Sequence, residues 1–272
     1  MRGIRLVGLS LAGILVFAAC GKSGGLSASS IKSNGKMVWC SDITYPPEEF
    51  YKGNTPVGSD IDIAREVTKR VAGVSAEFDN TGFTGIIPAL LAKKCDAIIS
   101  AMNDNAERRR QVDFVDYLDV GQTLSMKPGN PAGIHSLADL SGHSVSVEEG
   151  TTNLGFLKDE SKKLVAAGKK PIDIIGYPKD TDAANALKTG KVDAYFADSP
   201  VAVYYHIQDP STFGVLVQPI NPIPVGMAFR PADSALAAAV KSAIDAMYSD
   251  GTMCRILKKW SLTAFVLKGQ SC

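Results

Sequence analysis

The sequence predicts an α/β fold of two similar lobes, each a mostly parallel sheet flanked by helices, joined by a two-strand hinge. Three observations lead there. Segments with strand character alternate with segments of helical period, the pattern of parallel strands joined by crossover helices. One stretch occurs twice: residues 89–100 and residues 186–197 both read as a helix end, a tight turn and a buried strand. The first copy runs on into Glu107-Arg108, whereas the second stops at Asp198. The chain also passes two matching junctions, at 121–127 and 218–226, which leave 36–122 and 225–272 as one lobe and 127–218 as the other. A single doubly wound sheet is the competing layout; the duplication and the paired junctions favour two lobes.

The elements follow in order. Residues 36–40 read as the first strand, ahead of a loop at Tyr45-Pro46-Pro47. After Gly58, residues Ile63, Val67 and Val71 recur at i, i+4 and i+8 beside Ala64, which makes a helix that Gly73 ends. Asp60 and Asp62 stand at its start, where acids complement the helix dipole. Residues 76–78 form a short strand, 85–93 a helix with Pro88 in its first turns, and 96–101 the next strand. The second unit begins after Met126-Lys127-Pro128-Gly129. Strands at 144–147, 172–175 and 194–197 alternate with helices at 153–167, 181–188 and 199–206. Pro219, Pro222 and Pro224 mark the return. Residues 234–248 and 253–260 are then helices, with Ala238, Ile244 and Met247 facing inward on the former.

The N-terminus reads as an address. Arg2 and Arg5 precede an apolar run, 6–17, that falls short of the roughly 20 residues needed to span a bilayer. Ala18-Ala19-Cys20 is similar to the lipobox of bacterial lipoproteins, which implies removal of residues 1–19 as a signal peptide and a lipid on the Cys20 thiol. Residues 20–35, opening Gly21-Lys22-Ser23-Gly24-Gly25, read as a flexible tether. Removing Arg2 and Arg5 from the 29 basic residues leaves 27 against 28 acidic ones. That balance gives no electrostatic footprint for nucleic acid or an anionic membrane surface, so membrane contact is expected through the lipid alone.

Cys40, Cys95, Cys254 and Cys272 then remain in an oxidising, extracytoplasmic compartment. Cys254 and Cys272 are a candidate disulfide pinning the tail to the last helix, and Cys40 and Cys95 read as buried thiols. No C-x-x-C occurs and the three His are scattered, so neither a metal nor another cofactor is expected.

An ordered set of motifs resembles extracytoplasmic solute-binding protein family 3, the polar amino-acid receptors of ABC importers. Gly58-Ser59-Asp60-Ile61-Asp62-Ile63 is similar to the family signature, with Ser59 where an aromatic or large apolar residue is usual. Asp42-Ile43-Thr44-Tyr45-Pro46-Pro47-Glu48-Glu49-Phe50 resembles D-x-T-Y-P-P-F-E-F, with Glu48 replacing the first Phe. Phe83-Thr84-Gly85-Ile86-Ile87-Pro88-Ala89-Leu90 resembles F-D-G-L-I-P-A-L. Asn105 to Arg108 with Gln111 to Phe114 resembles T-x-E-R-x-x-x-V-D-F. Gly150-Thr151-Thr152, Asp198-Ser199-Pro200, Asp250-Gly251-Thr252 and Lys259-Trp260 match further family positions.

The resemblance implies a two-lobed type II periplasmic-binding-protein fold and a cleft for one amino acid. Arg108, a planar bidentate donor, would hold the α-carboxylate with the Asn103 side chain and the amide of Thr151 or Thr152. Asp198 would accept from the ammonium, although a residue before Ser199-Pro200 also fits a helix N-cap. Tyr45 and Phe83 would flank the side chain. Asp42 would meet its far end, and Ser100 and Ala101 would line the wall. Glu48, Asp104 and Glu149 add negative charge near the rim, which favours a polar or basic ligand over an acidic one. The implied partners are an ABC permease and its ATPase, with the chain itself a monomer. Enzymes share this fold, including cyclohexadienyl dehydratase-like proteins. Such a reaction needs a placed acid–base residue, for which Glu48 or Glu149 are the candidates; no nucleophile elbow, metal-ligand spacing or phosphate loop accompanies them. A binding role is therefore expected.

Overall fold

A computed structural model describes residues 24–216 and 218–272. The expected signal peptide and Cys20 lie outside the described residues. The chain runs α1 (Ala28–Asn34), β1 (Lys36–Ser41), a hairpin of β2 (Phe50–Lys52) and β3 (Thr55–Val57), α2 (Ser59–Ala72), β4 (Ser75–Asn80), α3 (Ile86–Leu91) and β5 (Ala97–Ile98). A long strand, β6 (Asp113–Met126), leaves this lobe. The second lobe holds β7 (Ser144–Glu148), α4 (Thr152–Ala166), β8 (Asp173–Tyr177), α5 (Asp180–Lys188), β9 (Ala194–Asp198) and α6 (Ser199–Gln208). Strands β10 (Val215–Leu216) and β11 (Ile220–Phe229) lead back to α7 (Ser234–Ser249) and α8 (Thr252–Lys259). Among the described residues, no helix is long and apolar enough to cross a membrane.

The two lobes share one plan. Three parallel strands lie in the order β4-β1-β5 in the first and β8-β7-β9 in the second, so the opening strand is central in each. An antiparallel strand closes each set: β11 against β5, and β6 against β9. Strands β6 and β11 pair with one another, and Gln122 of β6 is in register with both Ile220 of β11 and Asp198 of β9. That residue stands where the chain passes from one lobe's sheet to the other's.

The duplicated segment folds the same way twice. Lys93 N–H bonds to Leu90 O and Lys94 N–H to Ala89 O; Gly190 to Leu187 and Lys191 to Ala186 are the matching bonds. The turn residue is left-handed in both copies, Lys93 at φ 60° and Gly190 at φ 73°, so the first copy bears a steric cost that glycine avoids in the second. The aspartate after each turn accepts a backbone N–H from the central strand, Val38 to Asp96 and Ser144 to Asp193, at 2.8 and 2.9 Å. Each copy thereby fixes where its strand begins, and the opposite, carboxyl end of the strand faces the cleft.

Three expectations need correction, and a fourth is extended. Residues 28–34 are not part of a flexible tether: they form α1, closed by a reciprocal Ser27–Ser30 capping box, with Ile31 fully buried. The chain ahead of it is held too, since Leu26 N–H bonds to Asp233 Oδ1 at 2.6 Å, and a Cβ on Gly25 would fall 1.6 Å from Ala232 O. Replacing Ile31 by alanine is expected to lower stability by about 2–5 kcal/mol in urea unfolding, the usual cost of emptying a buried aliphatic site. A free tether would show no change. Cys40 and Cys95 are not thiols but a disulfide; a second disulfide joins Cys254 to Cys272. On α7 the buried face is Leu236, Val240, Ile244 and Met247, while Ala238 is exposed. Asp60 does more than complement a dipole. Buried at the start of α2, its Oδ2 accepts the Ala101 N–H at 2.9 Å and the Tyr117 hydroxyl at 2.6 Å, tying the helix to the end of β5 and to β6.

Candidate functional site

The pocket lies where the carboxyl ends of β5 and β9 meet, the place at which open α/β sheets bind ligands. From the first lobe it is lined by Asp42, Tyr45, Glu49, Phe83, Ser100, Ala101 and Asn103. The second lobe contributes Glu148, Thr151, Asn153 and Asp198. Arg108 and Thr152 border the adjoining groove beside Gly150.

Asp42 leaves the end of β1 and organises the first wall. Its Oδ2 accepts the Phe83 N–H at 2.7 Å, which sets that ring at the pocket edge, and its Oδ1 accepts the Thr44 hydroxyl at 2.8 Å. Burial raises the Asp42 pKa, opposed by those two bonds and by Lys179. Ser100 Oγ accepts the Asp42 N–H at 2.9 Å and donates to Glu49 Oε1 at 3.0 Å. Ala101 takes a left-handed φ of 40°, which its bond to Asp60 holds in place.

Asp198 is the meeting point of the lobes. It occupies the N-cap position of α6, yet its side chain makes no capping bond. The carboxylate turns into the cleft instead, accepting Asn153 Nδ2 at 3.1 Å and Asn103 Nδ2 at 3.3 Å. Its backbone N–H bonds to the Tyr45 hydroxyl oxygen at 3.2 Å. Burial pushes its pKa up to about 6 against the pull of the Asn153 and Asn103 bonds and the Arg108 charge. Asn103 also accepts the Thr152 hydroxyl, so one amide spans both lobes.

Arg108 sits on a short 3-10 turn with its guanidinium carbon 5.2 Å from the centre of the Phe83 ring. It donates to Asn103 O at 2.7 Å and across the cleft to Gly150 O at 3.2 Å. Burial lowers its pKa to about 10, with Asp198 acting in the other direction. Thr151 caps α4, its Oγ accepting the Leu154 N–H and donating to Glu148 O. The lobes are thus in direct contact through Asn103–Asp198, Asn103–Thr152, Tyr45–Asp198 and Arg108–Gly150.

The rim acids fall elsewhere than expected. Glu48 is fully buried, because the Tyr45-Pro46-Pro47 loop folds back and its carbonyl oxygen accepts the Asp60 N–H of α2. Asp104 is paired with Arg109, whose Nε lies 2.6 Å from it. Glu149 is absent from the pocket lining, and its neighbour Glu148 is there instead. Glu49, Glu148 and Asn153 were not anticipated. The signal for Glu148 was its place at the last residue of a strand that ends at the cleft.

Together these residues make the site rich in carboxyl groups. Asp42, Glu48, Glu49, Asp60, Glu148, Asp180 and Asp198 are all buried near it, with Arg108 as the buried cation among them. Burial, and then mutual repulsion, raise Glu48, Glu49 and Glu148 well above the usual carboxylate range. Asp180 is pushed up to about 8 by burial, which the bond from Tyr195 opposes and repulsion from Asp198 and Asp42 reinforces. Among the described residues no group of these side chains is arranged to hold a metal ion.

Two α/β lobes joined by paired strands, with convergent polar groups between them, define a type II periplasmic-type binding protein. The chain belongs to the bacterial extracellular solute-binding proteins, family 3, whose family model matches residues 37–263. It is 30% identical over 259 residues to the arginine-binding extracellular protein ArtP of Bacillus subtilis (strain 168), covering 93% of this chain and 96% of ArtP. The glutamine-binding protein GlnH of the same organism is 29% identical over 271 residues, covering 93% and 94%. Among solved structures, the ancestral amino acid-binding protein AncCDT-1, a precursor of cyclohexadienyl dehydratase, matches at a TM-score of 0.78 and 32% identity, covering 86% of this chain and 98% of that one.

Proposed function

We propose that this protein is the substrate-binding component of an ABC importer, capturing one polar amino acid with a cationic side chain between its lobes. The observation that carries the reading is the excess of buried carboxyls around a pocket whose nearest buried cation, Arg108, stands to one side. A ligand bearing two positive charges and one negative charge offsets that excess. Among the relatives, ArtP is named for arginine, whose side chain is cationic, and GlnH for glutamine, whose side chain is polar and neutral.

In this reading Arg108 pairs with the α-carboxylate, exchanging its bond to Gly150 O for the ligand, with Asn103, Thr151 and Thr152 beside it. Asp198 accepts from the α-ammonium. Tyr45 and Phe83 flank the side chain, and Asp42, Ser100 and Ala101 close the wall around it. Lobe 127–218 rotates against lobe 36–122 and 225–272 about β6 and β11, and the closed form is presented to the permease and its ATPase. Processing before Cys20 and lipidation of its thiol would keep the monomeric protein outside the cytoplasm, on the membrane.

The test is a thermal-shift panel of L-amino acids. Ligand at a hundred times its Kd stabilises the native state by about 2.7 kcal/mol, or roughly 5–10 °C for a chain of this size. A saturable shift with basic amino acids is expected, and no shift with any member rejects the reading. The likeness to AncCDT-1 supports a second reading, a dehydratase; product formed from prephenate or arogenate by the purified protein would establish it.

A further inference from the structure

The pocket carboxylates differ in what their oxygens are already doing. Both oxygens of Asp42 accept bonds, from Thr44 and Phe83, and both oxygens of Asp198 accept amides, from Asn103 and Asn153. Glu49 gives Oε1 to Ser100, and its Oε2 has no hydrogen-bond partner among the described residues. Behind the pocket, Asp180 receives the hydroxyls of Tyr195 and Tyr205. Glu148 is the carboxyl with a free oxygen that comes from the second lobe. It ends β7, lines the pocket and is 4% exposed, yet its Oε1 has no hydrogen-bond partner among the described residues. A buried carboxylate oxygen left unpaired costs free energy, and such cost is retained where a ligand relieves it.

We propose that Glu148 is the specificity-determining residue of this site, its free oxygen receiving the cationic end of the ligand side chain. The inference rests on the amino-acid-binding reading above. It assigns the three ligand charges to separate places: Arg108 from the first lobe for the carboxylate, Asp198 from the second for the α-ammonium, and Glu148 for the distal cation. Glu148 reaches the ligand only when the second lobe is closed on it, so the side-chain charge itself favours closure.

The surroundings add a proton to this exchange. Asp180 from α5, Asp198 from β9 and Asp42 from beyond β1 all face Glu148 with negative charge, and Tyr45 and Tyr205 stand nearby as phenols. The backbone N–H of Asp180 opposes them, while Lys179 acts on Asp42 and Arg108 on Asp198. Burial and these anions favour the protonated carboxyl in the empty site. A ligand cation reverses the balance, so the Glu148 proton leaves to solvent as the cation arrives. Affinity for a cationic side chain therefore rises with pH, whereas that for a neutral one does not gain from this group.

The experiment is calorimetric titration of the purified protein with arginine and with citrulline, which has a neutral ureido group in place of the guanidinium. Arginine is expected to bind at least roughly thirtyfold more tightly, the cost of leaving a buried charge partner unmatched. In Glu148→Gln that advantage should collapse, the arginine-to-citrulline affinity ratio falling below about threefold. The wild-type protein gives an independent measurement: the arginine-to-citrulline affinity ratio should increase from pH 6 to pH 8, since Asp198 faces an α-ammonium common to both ligands. Buffers of different ionisation enthalpy should report net proton release with arginine. A Glu148→Gln variant that keeps the arginine preference, or a ratio flat with pH, overturns the inference and leaves amino-acid binding standing. Equal wild-type affinity for the two ligands does the same. Failure of every amino acid to bind overturns both.

Discussion

Replacing Asp198 by alanine should weaken amino-acid binding by roughly a hundred- to a thousandfold, the largest single loss expected in this protein. The estimate follows from what the carboxylate holds. It would face the ligand ammonium in a dry site, where truncating one partner of a buried hydrogen-bonded charge pair costs about 2–5 kcal/mol. It also receives amides from Asn103 and Asn153, one from each lobe, and both would be left without that acceptor. The isosteric Asp198→Asn separates charge from shape. Because burial raises the Asp198 pKa to about 6, its folded value lies above the ordinary carboxylate range. The group therefore favours the folded state most at low pH, and that contribution is lost as pH rises through 6. Above that pH the unliganded Asn variant should melt no lower than the wild type and bind far more weakly. Calorimetry and melting at pH 7.5 check both. An alanine variant with near-normal affinity would move the ammonium site elsewhere.

Removing the Cys40–Cys95 disulfide is expected to give the largest loss of stability. The bond joins the end of β1 to the turn before β5 across 55 residues that include α2, β4 and α3. In the chain-entropy account a loop of that length contributes about 4 kcal/mol. At roughly 2–4 °C per kcal/mol, the double Cys→Ala variant should melt about 8–16 °C lower. Both cysteines are buried, so reductant should act slowly on the folded protein. The Cys254–Cys272 bond ties down a tail that is exposed from Lys268 onward, and its loss should matter far less. Equal effects from the two pairs, by heat or urea, would contradict this ordering.

What could be read from the chain depended on how local its cause was. The duplicated helix–turn–strand was legible because each copy is held by bonds within itself, with one aspartate reaching to the neighbouring strand. Arg108, Asp198, Tyr45 and Phe83 were named through their motifs, and the structure places them around one cleft. The shared strands were harder. Asp113, Asp116 and Asp119 break the alternation of β6 at every third position, and Pro222 and Pro224 argue against a strand in β11. A register shift in β11 between Ile220 and Ile223 accommodates the first of these prolines.

The acids of the pocket were legible only in part. Strand β7 is buried on both faces from Val145 to Glu148, so no alternation distinguishes Glu148 from Glu149. Which of them faces the cleft depends on where the strand stops, and that is set by its neighbours. Helix α1 has one large apolar residue, Ile31, in a polar run and carries no period to detect. Its order comes from the surface it docks on.

That docking changes how far the protein can roam. With Leu26 already bonded to Asp233, a lipid on Cys20 would be separated from the folded body by five intervening residues, six Cα–Cα steps. Fully stretched, they reach about 20 Å. A receptor so moored cannot patrol the envelope on a long line. With a lipid on Cys20 the protein would stand within a molecular diameter of the bilayer, with the face around Arg230 and Asp233 turned to the lipid. So anchored, it would meet a permease by sliding sideways in the membrane plane, a search in two dimensions rather than three.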